Sequence, residues 1–145
     1  MKDLKSKKTT KQLLFLSMFL MLLFISCKKD KTSEMAVRED FIGLWQCDEF
    51  DNNNQLMATF QVEIIADPVN EERIYLDNFN LLGSGFQLEA ETSNGQITIL
   101  PQSLAGNSYS GSGLINDNLT GLDMQYLVED ASGNSENIQA SFMKL

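Results

Sequence analysis

The chain has 145 residues, room for one domain, and carries 20 acidic residues against 11 basic ones, for a formal charge of −9. That balance repels nucleic acid and bare anionic headgroups. With no histidine anywhere, the commonest general base, the usual hydrolytic triad and most transition-metal sites are excluded.

Residues 1–26 read as an export signal. Lys2, Lys5, Lys7, Lys8 and Lys11 face only Asp3 in "MKDLKSKKTTKQ", and "LLFLSMFLMLLFI" follows as an apolar run of 13 residues, Leu13 to Ile25. Such a run fits the about 7–15 residues of a signal's apolar core and falls short of the about 20 that a membrane-crossing helix needs. Next comes "FISC", in which Ser26 before Cys27, with Phe24 and Ile25 ahead of them, resembles a bacterial lipobox. The resemblance implies cleavage before Cys27, diacylglycerol on its thiol and an acyl chain such as palmitate on its new amino group. Several acyl chains on one residue suffice for stable anchoring, where one alone holds only marginally.

From Cys27 onward six basic residues stand against 19 acidic ones, a net charge of −13; beyond residue 37 the tally is three against 17, or −14. Residues 27–40 contain "KKDKTSEMAVRED", which is charged, lacks sustained periodicity and reads as a solvated tether. Extended, it reaches about 40–45 Å. A basic tether beside the lipid and an acidic domain beyond it describe a domain that stands off the membrane. A short helix over "SEMAVRED" is the one element expected within the tether. With Cys27 acylated, Cys47 has no intramolecular partner and must persist as a thiol.

From 41 to 145 the signal is β, with turn residues every 8–12 positions. Strands are expected over 42–50, 57–66, 73–80, 85–92, 95–100, 107–115, 118–129 and 137–144. Asn94-Gly95 is the pair that a type I′ hairpin requires, and "NDN" around Asp117 and "ASGNS" around Gly133 supply further tight turns. Alternation assigns the faces: Phe60, Val62, Ile64 and Ala66 oppose Gln61 and Glu63; Phe86, Leu88 and Ala90 oppose Gln87, Glu89 and Glu91. Leu122, Met124, Tyr126 and Val128 repeat the pattern, as do Ile138, Ala140 and Phe142. A sheet with one dry face and no helix to cover it closes on itself or folds into a sandwich. Closure also removes exposed edges. The expected fold is all-β: an eight-stranded antiparallel up-and-down meander closed into a barrel, with a β-sandwich as the alternative.

"FIGLWQCDEF" resembles the opening of a lipocalin or calycin barrel, in which Gly-x-Trp in the first strand seals one end. Through "ADPVNEERIYLDNF", "LLGSG", "YSGSGLINDNLT" and "ASFMKL" the domain is similar to small calycin-like lipoproteins of Gram-negative bacteria. No arginine lies near the last strand, where such barrels often pack one on the tryptophan; Lys144 is the basic residue there. The resemblance implies a membrane-anchored, non-enzymatic envelope protein, and lysines after Cys27 are compatible with outer-membrane sorting.

Gly43 lets a neighbouring group approach closely, and Trp45, Cys47 and Glu49 share one face by alternation. The residues expected to face the lumen, or a ligand within it, are Trp45, Cys47, Phe60, Val62, Phe86, Leu88, Tyr109, Met124, Tyr126 and Phe142. Ala66, Ala90, Gly111, Gly113 and Ala140 are the small residues set among them, and an eight-stranded barrel can be filled or can hold one small ligand. Carboxylate pairs such as Asp48-Glu49, Glu71-Glu72 and Glu89-x-Glu91 are expected on turns or wet strand faces, which leaves no catalytic residue, cofactor or metal site to name. "DASGNSE" and "DEFDNNNQ" are dense in oxygen ligands but lack the spacing of an EF-hand loop and read as polar hairpin loops. The expected partners of a monomer of this kind are the membrane, through Cys27, and either a small apolar ligand held in the lumen or an envelope protein docked on a filled barrel.

Overall fold

The computed structural model describes residues 36–145; the expected export signal, Cys27 and the chain as far as residue 35 lie outside the described part. A four-residue helix α1 (Arg38–Phe41) leads into eight strands: β1 (Gly43–Phe50), β2 (Leu56–Ala66), β3 (Arg73–Asp77), β4 (Gln87–Ser93), β5 (Gln96–Leu104), β6 (Asn107–Ile115), β7 (Gly121–Glu129) and β8 (Ser135–Lys144). Each strand pairs antiparallel with the next, and β1 returns to β8 from Trp45↔Lys144 to Phe50↔Gln139, so the sheet is a closed barrel and not a sandwich.

Turn chemistry fixes the register. Asn94 and Gly95 both have positive φ (52° and 78°) and join β4 to β5 in two residues, as the type I′ pair requires. At the opposite end, the loops after β1 and β7 share one device. Asp51 Oδ1 accepts from the Asn53 and Gln55 N–H groups at 2.9 and 2.8 Å, and Asp130 Oδ1 accepts from Ser132 and Asn134 at 2.8 and 2.9 Å. Both oxygen-rich segments are thus hairpins folded around their own carboxylate. Their bonds to the loop hold both carboxyls below the usual range.

Four of the boundaries that differ from the sequence expectation have a local cause. β3 stops at Asp77, where Asn78, Asn80 and Leu81 take positive φ and the chain turns through a 3₁₀ segment, Phe79–Leu81. β4 begins at Gln87, because Gly83 and Gly85 (φ 95° and 91°) break the extended path just before it. β5 runs on past Pro101 to Leu104 through an irregularity between Ile99 and Gln102. Proline gives the ladder no N–H there, and the Gln102 side chain bridges to β4 instead, donating to Glu89 O (2.7 Å) and accepting from Glu89 N (3.0 Å). β7 starts at Gly121 because Asn116 Oδ1 accepts from Thr120 and Gly121 N–H and ties 116–120 into a turn.

Ala36 to Asp40, expected to end the tether, is docked on the barrel. Gly95 N–H donates to Ala36 O, and the Arg38 guanidinium donates to Asp67 O and Asn70 O at 3.2 and 3.0 Å. The helix there spans Arg38–Phe41 and buries Phe41 completely, which is the apolar contact that holds it down.

Candidate functional site

Gly43 sits at φ 129°, a conformation that favours glycine, and the stem of Lys144 passes beside it, 3.6 Å from where a Cβ would stand, an ordinary contact. Lys144 lies over the Trp45 ring, 5.2 Å from its centroid, and its Nζ donates to Asp40 O at 2.7 Å. Trp45 is fully buried and its Nε1–H donates to Phe41 O at 2.8 Å, so the ring closes this end of the barrel with its one polar atom satisfied. Cys47 lies beside it, fully buried; burial, then the nearby Glu49 and Asp48, push its thiol pKa up and keep the proton on sulfur.

The other end is closed from the chain between β3 and β4. Phe79, fully buried, enters the barrel with its ring 4.6 Å from Tyr126 and 6.5 Å from Phe142. Next to it lies the interior's polar cluster: the Tyr126 hydroxyl donates to Glu49 Oε1, and Asn80 Nδ2 donates to the Tyr126 oxygen (3.1 Å) and to Glu49 Oε1 (3.5 Å). Glu49 is only 3% exposed, which corrects its expected place on a wet face; alternation with Trp45 and Cys47 prevails. Burial raises its carboxyl pKa, the bonds from Tyr126 and Asn80 oppose that rise, and Glu136 adds to it. Burial and the Glu49 charge together raise the Tyr126 pKa, so the shared proton stays on the phenol.

Nine of the ten expected lumen residues, Trp45, Cys47, Phe60, Val62, Leu88, Tyr109, Met124, Tyr126 and Phe142, are buried together in one cluster. Phe86 is not among them. It is 43% exposed, because the Gly83 and Gly85 turn ends the alternation one residue before β4 and turns the ring to solvent. Its place in the core is taken by Phe79, which the expected strand over 73–80 concealed. Gly111 and Gly113 face Tyr126 and Met124 across the β6–β7 ladder, and a Cβ on Gly111 would stand 2.5 Å from Gln125 O. Those glycines allow the two large side chains to lie across β6 and fill the barrel where a side chain on β6 would have stood.

Two recesses lie on the outside. A groove of about 750 Å³ crosses the outer face of β6, β7 and β8 toward Phe50, and a cleft of about 670 Å³ lies between the Ala36–Glu39 lead-in and the Glu71-Glu72 and Ser93-Asn94 turns. Among the described residues no group of three or more His, Cys, Asp or Glu is placed to hold a metal ion. A scan against protein-family models finds no match to this chain, and a search of the curated proteins returns no relative.

Proposed function

We propose that this protein is a non-enzymatic lipoprotein of the cell envelope, anchored through acylated Cys27, whose lipocalin-like barrel acts as an interaction module through its outer surface and not as a carrier in its lumen. The observation that supports this reading most is the occupied interior: Trp45 and Phe79 stop the two ends, and Tyr109, Tyr126 and Phe142 fill the space between, all at most 2% exposed. An eight-stranded barrel has an interior just wide enough for side chains of that size. The tether supplies reach, and the charge of −14 beyond residue 37 holds the domain off anionic lipid.

The test is a titration of the chain with an apolar fluorescent probe, read by quenching of Trp45, the sole tryptophan. A filled barrel gives no saturable quenching. Saturable one-to-one quenching, abolished by Ala90→Phe from inside the barrel, would replace this reading with ligand carriage.

A further inference from the structure

Glu49, 3% exposed, is held inside the barrel without a counter-charge. The three cations beyond residue 37 are bound toward the opposite end: Arg38 to Asp67 O and Asn70 O, Arg73 to Glu89 and Glu91, and Lys144 to Asp40 O. What faces the carboxyl is neutral or acidic. Tyr126 of β7 and Asn80 of the segment between β3 and β4 donate to it, and Glu136 of β8 adds a like charge. Cys47 precedes it on the same face of β1, and Ala58 of β2 and Ala140 of β8 stand across the ladder. Asp48, on the outer face, accepts from Thr59. A carboxylate in that setting has lost its water and gained no cation, so the neutral form is favoured. Burial accordingly raises the Glu49 pKa against the bonds from Tyr126 and Asn80.

Of the groups bonded to Glu49, Asn80 alone stands outside the closed ladder. β1, β7 and β8 each have a neighbour on both edges. Residues 78–86 are held together instead by Asn78 N–H to Phe86 O and Phe86 N–H to Gly83 O, both 3.3 Å, and by Leu82 N–H to Phe79 O, 3.1 Å. Asn78 Nδ2 donates to Gln61 O at 2.8 Å and pins the segment at its start. Asn78, Asn80, Leu81, Gly83 and Gly85 all have positive φ. Leu81, at φ 58°, adopts a left-handed conformation that disfavours leucine, and at 58% exposure it has little burial to offset the strain. This one segment carries both Phe79 into the barrel and Asn80 onto Glu49, so what releases Asn80 also loosens the plug.

We propose that the Asn78–Gly85 segment is a proton-controlled gate on this end of the barrel. A proton on Glu49 keeps Phe79 seated. Its loss to water leaves a carboxylate that gains solvent when the segment swings out about Asn78 and the Gly83 and Gly85 turn, in a small fraction of molecules at any moment, while the ladder stays closed. The gate goes beyond the outward-acting reading above and does not depend on it.

The test is hydrogen–deuterium exchange of the full chain in detergent, read by mass spectrometry on peptides from 78–86, β1 and β7 from about pH 5 to 8, each rate divided by its intrinsic chemical rate. The opening constant of 78–86 is expected to rise about tenfold per pH unit from the ordinary carboxylate range up to the raised value for Glu49, and then to level off. Glu49→Gln gives a flat profile. Leu81→Asn, at an exposed position and with a residue that tolerates left-handed backbone, leaves the core untouched; it lowers the opening constant about threefold or more at every pH and keeps the wild-type slope. A wild-type profile without pH dependence, a rise that persists in Glu49→Gln, or a level unchanged in Leu81→Asn overturns the inference. So does exchange of 78–86 at the rate of β1 and β7, which would mean that only global unfolding exposes the cluster.

Discussion

Lys144, the penultimate residue, lies over Trp45 with its Nζ 5.2 Å from the ring centroid while donating to Asp40 O at 2.7 Å. One cation thus joins the last strand, the first strand and the lead-in helix. Its stem passes Gly43, which is glycine for its φ of 129° and not to make room for the lysine.

Lys144→Met is expected to cost about 1–2 kcal/mol, from the lost cation–π contact and the charged bond to the Asp40 carbonyl. Trp45→Ala should cost about 3–5 kcal/mol, through lost burial and the cavity left behind. Urea denaturation measures both. In the wild-type domain Cys47 should react with a thiol reagent only after denaturant is added; in Trp45→Ala it should react without it.

Gly111→Ala and Gly113→Ala are each expected to destabilise the barrel by about 1–3 kcal/mol or more, since the added methyl would stand 2.5 Å from Gln125 O in the first and 2.6 Å from Asp123 O, besides meeting Met124 Cγ, in the second, and the backbone of β7 cannot move aside. Gly106→Ala, whose Cβ would meet nothing within 4 Å, carries only the strain of its φ of 88° and should cost less. Thermal midpoints of the three variants provide the comparison.

The Glu49 cluster sets a pH dependence. Burial raises the Glu49 pKa above its value in the unfolded chain, so the folded state holds that proton more tightly. Its contribution to stability is therefore fullest below the ordinary carboxylate range and is lost as pH rises through the raised value. Glu49→Gln, which can still accept from Tyr126, should flatten that decline and match or exceed wild type in mildly alkaline buffer. Glu49→Ala should lose about 1–3 kcal/mol by leaving the Tyr126 hydroxyl and Asn80 amide without their acceptor. Urea midpoints from acid to alkaline pH separate the two, and parallel curves for wild type and Glu49→Gln would contradict the assignment.

Anchoring has its own test. Cys27→Ala should leave an uncleaved precursor that takes up no label from a radioactive fatty acid fed to the cells. Label retained by the variant would remove the lipid anchor from the proposal.

Alternation made most of the barrel legible in the sequence. Val62, Leu88, Met124 and Phe142 could be placed inside because a half-buried strand repeats every two residues, and Asn94-Gly95 announced its own turn. What escaped detection lies where a local rule yields to tertiary contacts. Phe79 reads as one more strand residue, yet the left-handed Asn78 and Asn80 turn it into a plug. Phe86 follows the alternation of β4, but the glycines before it release it to solvent. Glu49 reads as wet by its charge and is dry by its position, and only the meeting of Tyr126 and Asn80 across the barrel explains how the carboxyl is satisfied there. The groove on the outer face leaves no trace in the sequence, because it depends on which strands are neighbours.

The most direct test of a filled, outward-acting barrel is native mass spectrometry of the protein purified from its own host. The expected mass is that of the processed chain with its lipid on Cys27 and nothing more. A stoichiometric small apolar molecule, retained on the native domain and released on denaturation, would contradict it.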